Sequence, residues 1–368
     1  MTGVKMLNNK LLIVKYMGRI VGRLAMTPDN LMAFEYDADW LQNGFSISPF
    51  KLPLEKKVFI SDRNPFDGVF GVFNDSLPDN WGQLLVNREL QRRGIAPNSI
   101  SYLDRLAIVG KNGPGALEFE PSAELEAEYG ESDLDSIADK INEILANNAP
   151  VDNDGITEEL FRIGGSSGGT RPKIFRKVDG NDWIIKFRAS VDPVDIGKRE
   201  FDIMEKAAKA GLDTPQHNLF NNRYFGVQRF DRISDGGKVF MISASGLLNA
   251  DHNQPVLDYT DLLGLTAKLT RNMSQVEKMF RLMVFNVLIN NTDDHAKNFA
   301  FLFDGKEWAV APAFDLTETV GIWEHATSVN HRGRDITDND MITVGERVGI
   351  KPQRAMEIIN QVRTAVES

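Results

Sequence analysis

The stretch 291-NTDDHAKNFAFLF-303 sets Asp293, Asp294 and His295 side by side, adds Lys297 and Asn298, and runs into an apolar, strand-like segment. Carboxylates move protons or hold cations, imidazole does either, and an amide oxygen suits a hard metal ion. A metal site, a catalytic loop and a polar turn between two buried elements all fit these residue types. A transition-metal centre fits least well, because one histidine lies locally and adjacent carboxylates point in different directions on most backbones.

Three further stretches bear on the choice. The glycine- and serine-rich 164-GGSSGGTRPK-173 could bring backbone N–H groups close to anionic oxygens, although it matches neither GxxxxGK[ST] nor a strict GxGxxG. In 182-DWIIKFR-188, Trp183, Ile185 and Phe187 alternate with Ile184 and Lys186 in strand fashion. The helical stretch 196-IGKREFDIMEKAAKAG-211 puts Glu200 on its apolar stripe, where a carboxylate needs a partner, and Lys186 is the candidate. A strand lysine held by a helix glutamate is how protein kinases place a lysine on ATP phosphates. Asp293 precedes Asn298 by five positions, as Asp and Asn do in the kinase pattern HRDxxxxN, and Asp315 follows in 311-APAFDLT-317. Asn298 and Asp315 would then suit Mg²⁺, and Asp293 would accept a hydroxyl proton or orient the nucleophile.

These residues need elements to hold them. Leu11 to Tyr16 and Met32 to Tyr36 read as strands, and Trp81 to Arg93 as a helix, within a small α+β module at 1–120. Residues 121–150 read as an acidic connecting segment whose acids form a solvated helix face, with a boundary near 145–155 marked by 147-NNAPVDNDG-155. Residues 151–232 read as a strand-rich small lobe and 233–368 as a helical lobe, with a ligand cleft expected where lobes meet. The helix over 276–290 pairs its apolar residues every four positions and leads into the opening stretch. The fold class expected is α+β, a protein-kinase-like two-lobed arrangement.

Composition narrows the function classes. At 368 residues, with 42% hydrophobic and 26% charged, the chain can bury a core without staples, and with no cysteine it has no disulfides, zinc thiolates or thiol nucleophiles. A charge of −10 argues against coating nucleic acid. Lys15 and Arg19 interrupt the early apolar run, and no segment reaches the roughly 18 apolar residues of a bilayer span, so a cytoplasmic protein away from membranes is expected.

Along most of its length the sequence resembles the HipA-type serine/threonine kinases, toxin halves of bacterial toxin–antitoxin pairs. The matching stretches are 73-FNDSLPDNWG-82, 109-VGKNGPGAL-117, 165-GSSGGTRPK-173, 184-IIKF-187, 227-VQRFDR-232, 290-NNTDDHAKNF-299 and 312-PAFDL-316. That resemblance implies ATP and Mg²⁺ as cofactors, Asp293 as the catalytic aspartate, Asn298 and Asp315 as metal ligands, and Lys186, positioned by Glu200, on the ATP phosphates. It implies a phosphate-covering loop of Gly168, Gly169, Thr170, Arg171, Pro172 and Lys173, and a nucleotide site lined by His295, Ala296, Lys297 and Asn298. Gln228, Arg229 and Phe230 would be the hinge whose backbone reads adenine, with Gln228 where family members often have glutamate. Ser166, with Ser167 beside it, aligns with an inhibitory autophosphorylation site, where phosphate adds roughly two negative charges beside ATP.

The resemblance also implies a HipB-like helix-turn-helix antitoxin as partner, DNA contact only through it, and a protein substrate such as an aminoacyl-tRNA synthetase. The chain is shorter than many family members between Asn249 and Val276 and after about residue 330, where substrate would dock. Two other readings share these residues: a nucleotide-binding regulatory partner of an antitoxin repressor, and a small-molecule phosphotransferase. Asp294 reads as a bystander, and His217, His252, His325 and His331 receive no role.

Overall fold

A computed structural model describes residues 9–123, 132–146, 156–165, 171–233 and 236–368. The boundary expected at 147–155 lies outside the described residues, as do Ser166, Ser167, Gly168, Gly169 and Thr170. The chain divides into two compact units, one running to Gly197 and taking in Asn218–Phe240, the other made of Lys198–His217 and Met241–Ser368.

The first unit is built on two sheets. β1 (Leu11–Tyr16), β2 (Arg19–Met26), β3 (Met32–Tyr36), β4 (Val58–Ile60) and β5 (Leu117–Glu120) lie in the order β4-β3-β2-β1-β5, every neighbour antiparallel. Alternation drives this sheet: Leu12 and Val14, then Met32, Phe34 and Tyr36, turn every second side chain into the core. Met17 and Gly18, at φ 48° and 76°, close the β1–β2 hairpin in two residues, a conformation glycine tolerates best. The helices α1 (Ala38–Asn43), α2 (Gly71–Asn74), α3 (Asn80–Arg92) and α4 (Tyr102–Val109) add Trp40, Phe73, Leu85 and Leu106 to the buried set. Phe73 of α2 meets the Phe34 and Phe119 rings at 5.4 and 6.2 Å.

The second sheet runs β6-β7-β9-β8, from β6 (Lys173–Val178), β7 (Asn181–Lys186), β8 (His217–Phe220) and β9 (Tyr224–Gln228). Its core face carries Ile174, Ile185 and Phe187, packed with residues of α3, α5 (Leu134–Ala146) and α6 (Ile156–Gly164). Here the sequence reading needs correction. Residues 121–150 hold more than a connector, since α5 buries Leu134, Ile137, Ile141 and Ile144 while Asp135, Asp139 and Glu143 face water. The acids are the solvated face of a helix whose other face is core. Nor do residues 1–120 stand apart from 151–232, because both belong to one compact unit.

A buried charge cluster ties those two parts together. Asp231 is 4% exposed and accepts from Arg229 Nε (2.9 Å) and Nη2 (2.7 Å), Arg232 Nη1 (2.8 Å) and the Gly115 N–H (2.7 Å). Both guanidinium groups also donate to the Gly113 carbonyl, at 3.1 and 2.8 Å. Burial pushes the Asp231 carboxyl up, but the two arginines and the Gly115 N–H outweigh it and bring it down to about 2.

The other unit is mainly helical. It contains most of α7 (Ile196–Lys209), the short α8 (Ala244–Leu248), α9 (Tyr259–Thr270), α10 (Met273–Leu288), α11 (Asp338–Arg347) and α12 (Pro352–Glu367). α10 packs on α9 and α12 and buries Met279, Phe280, Met283 and Val284, as its apolar periodicity predicts. β10 (Phe240–Ser243), β12 (Ala300–Phe303) and β13 (Trp308–Val310) form a three-stranded sheet, and β11 (Leu257–Asp258) pairs in parallel with β14 (Thr327–Ser328). Strand-rich first unit and helical second unit make the α+β, two-lobed class expected from sequence. No helix among the described residues is long and apolar enough to cross a membrane.

Candidate active site

The loop after α10 is fixed by its neighbours in sequence space and by one distant segment. Asn290 donates its side-chain amide to the Thr319 carbonyl (3.0 Å), and Thr319 N–H returns a bond to the Asn290 carbonyl (3.1 Å). Ala326 N–H donates to the Thr292 carbonyl (3.1 Å) and Thr327 N–H to Asp294 Oδ1 (3.2 Å). Residues 319–327 therefore lie along the loop like a strap. Asp294 is wholly buried and Asp293 is exposed, so the two acids point apart as adjacent side chains on extended backbone do.

Asp294 is the keystone of this loop rather than a bystander. Its Oδ2 accepts from the Tyr259 hydroxyl and faces His325 Nδ1, both at 2.9 Å, and its carbonyl accepts from Thr327 Oγ1 at 2.5 Å. Tyr259 in turn accepts from Asn286 Nδ2 (2.9 Å), and Asn286 Oδ1 accepts from Asn291 Nδ2 (3.0 Å). Burial and the Asp294 charge both raise the Tyr259 phenol, which keeps it a donor. His325, unassigned from sequence, belongs to the same network.

The remaining polar residues follow in a short 3₁₀ turn, Ala296–Asn298. Asn298 Nδ2 donates to the Asp293 carbonyl (2.8 Å), which leaves its Oδ1 as the acceptor a hard cation requires. Ala296 is buried, Lys297 is half-buried, and the His295 ring lies 5.9 Å from that of His252. Beyond Asn298 the chain makes the β12–β13 hairpin, with Phe301 opposite Val310 and Ala311 N–H bonded to the Ala300 carbonyl (2.9 Å). The ladder ends there, since Ala313, two residues before Asp315, bonds its N–H instead to the Asp213 carbonyl (2.7 Å). Asp315 has φ 55°, a left-handed conformation that aspartate and asparagine adopt more readily than other side-chain-bearing residues. An amide oxygen and a carboxylate match the donors Mg²⁺ takes alongside phosphate oxygens. Among the described residues no three His, Asp or Glu side chains gather into a metal-holding group.

In the first unit, Lys173 and Lys186 are cross-strand partners on β6 and β7, with Lys186 Nζ 5.7 Å from the Phe225 ring centre. Trp81 Nε1 donates to the Lys173 carbonyl (3.0 Å), anchoring β6 on α3. Of the adjoining residues, Arg171 pairs with Asp192 (3.2 Å) and the Pro172 carbonyl accepts from Phe187 N–H (2.8 Å). The hinge expectation changes at one position. Arg229 N–H is bonded to the Asp182 carbonyl (2.8 Å) and its guanidinium is buried on Asp231, so Arg229 is a structural clamp and its N–H does not read adenine. Gln228 ends β9 opposite Trp183, and Phe230 follows it in the turn beyond. Glu200 is 3% exposed, on the α7 stripe with Met204 and Ala207, as expected.

The sequence also matches known families. The HipA-like C-terminal domain matches residues 165–368 and the HipA N-terminal domain matches residues 12–120. The chain belongs to the HipA family. Two Sinorhizobium fredii proteins, named "Putative kinase Y4mE" and "Putative kinase Y4dM", are 27% and 24% identical to it, covering 84% and 76% of this chain and 78% and 73% of their own. A chain from the solved complex of Shewanella oneidensis MR-1 HipA, HipB and its operator DNA superposes with a TM-score of 0.74. It covers 97% of this chain and 89% of its own at 18% identity, which establishes a HipA fold. The family boundaries fall at 120 and 165, whereas the compact units divide elsewhere.

Proposed function

We propose that this HipA-family chain is an ATP- and Mg²⁺-dependent protein serine/threonine kinase. The observation that carries the reading is the loop at 290–298, which buries Asp294, exposes Asp293 and turns the Asn298 amide onto the Asp293 carbonyl. Asp293 accepts the proton of a substrate hydroxyl as that oxygen bonds the γ-phosphorus, and the bond from γ-phosphorus to the bridging oxygen breaks to release ADP. Lys186, held by Glu200, and Lys173 bind phosphate oxygens; Gln228 and Phe230 supply the hinge; His295, Ala296 and Lys297 line the nucleotide. Asn298 and Asp315 would hold Mg²⁺, which supplies charge neutralisation for the transferring phosphoryl group.

The same reading extends to partners and control. The kinase acts as a growth-arresting toxin on a translation component such as an aminoacyl-tRNA synthetase, bound and silenced by a HipB-like antitoxin that contacts DNA on its behalf. Autophosphorylation of Ser166 or Ser167, beside Gly168, Gly169 and Thr170, inhibits it by placing phosphate against phosphate. The test is to incubate the purified chain with γ-labelled ATP and a cell extract. Label on protein serine or threonine, with self-label mapping to Ser166 or Ser167, is expected; label entering only small metabolites contradicts the protein-kinase reading.

A further inference from the structure

We propose that Asp294 is a positioning residue, which sets the exposed Asp293 carboxylate by clamping the loop to the 319–327 strap. The inference rests on the reading of Asp293 as the proton acceptor. Both neighbours of Asp293 are tied to the same strap: Thr292 through Ala326 N–H (3.1 Å) and the Ile322 carbonyl (3.3 Å), Asp294 through Thr327 N–H (3.2 Å) and Oγ1 (2.5 Å). With residues on either side fixed, the backbone at 293 has little freedom, and its side chain is directed outward. The Asp294 carboxylate is the group on which the strap, α9 and the loop converge, because it accepts from Tyr259 and faces His325 as well as Thr327.

A buried ionised carboxylate costs more than an apolar residue of similar size unless all its acceptor sites are used. Here the carboxylate's partners come from two distant parts of the chain, Tyr259 on α9 and His325 and Thr327 on the strap, 31 to 35 positions away. The strap begins four residues after Asp315, so the clamp links the loop bearing Asp293 and Asn298 to the segment bearing the second proposed cation ligand.

The experiment compares Asp294→Asn, Thr327→Val and Asp293→Asn with the parent chain. Three quantities are read: label transfer from γ-labelled ATP to extract protein, affinity for a non-hydrolysable ATP analogue, and the thermal unfolding midpoint. Asp294→Asn keeps the volume but aims an N–H at donors, and is expected to slow transfer about 100-fold, the scale of a 1 Å misplacement, with analogue affinity within about threefold. Thr327→Val removes one hydroxyl bond, keeps the shape, and is expected to slow transfer about tenfold. It serves as the probe should Asp294→Asn fail to fold. Transfer rates within twofold of the parent, per folded molecule, in whichever of these variants folds, overturn the positioning role even when the unfolding midpoint falls. An active Asp293→Asn chain instead overturns the reading of Asp293 on which the proposal stands.

Discussion

Two buried aspartates organise this molecule, and their surroundings differ. Asp231 sits among full positive charges, Arg229 and Arg232, and fastens β9 to the Gly113–Gly115 turn. Asp294 is met by a phenol, a hydroxyl, a main-chain N–H and one imidazole, and fastens a loop whose preceding residue, Asp293, faces water. The arginine pair neutralises charge and locks two segments together, a scaffold arrangement. The hydroxyl-rich set fixes geometry while leaving the carboxylate beside it accessible, as a site requires. Substitutions in the first cluster should therefore act on stability, and substitutions around the second on turnover.

The largest expected contrast is Asp293→Asn, which should lower label transfer at least about 1000-fold, as loss of a general base does, with an unchanged unfolding midpoint. Asp231→Ala should do the reverse. It strands a buried guanidinium and is expected to cost about 3–5 kcal/mol in denaturant unfolding of the first unit, while per-molecule turnover of the folded fraction is retained. Loss of turnover without loss of stability in Asp231→Ala would erase the distinction.

Acid sharpens the comparison further. Because the folded Asp231 carboxyl is held at about 2 against an unfolded value of 3.8, its contribution is present above pH 4 and disappears as pH falls towards 2. About 2 kcal/mol should be lost over that window in urea titrations, and Asp231→Ala should flatten it. The smallest expected effect is Trp81→Phe, which removes the bond to the Lys173 carbonyl and should cost about 1 kcal/mol with little change in ATP-analogue affinity.

Much of this was legible in the sequence, for reasons that can be named. Strands at Leu11–Tyr16 and Met32–Tyr36 follow from period-two alternation over a half-buried sheet, and α10 follows from its four-residue apolar repeat. Glu200 on a buried stripe was readable from spacing alone. Asp294 was not, since its partners Tyr259, His325 and Thr327 lie 31 to 35 positions away and no local pattern links them. The acidity of 124–139 hid the other face of α5, because the composition of a segment says less than its periodicity. The Arg229 guanidinium is buried on Asp231, a pairing two residues apart whose burial no sequence pattern reveals.

In the proposed function Asp293 carries the phosphoryl transfer of this HipA-family chain. The most direct measurement is label transfer from γ-labelled ATP to protein serine or threonine by the parent chain and by Asp293→Asn, with ATP-analogue affinity measured on both. Transfer by the parent and at least about a 1000-fold loss in the variant, at unchanged affinity, is the result predicted. Equal transfer by the two chains, or no transfer to protein by the parent, would contradict it.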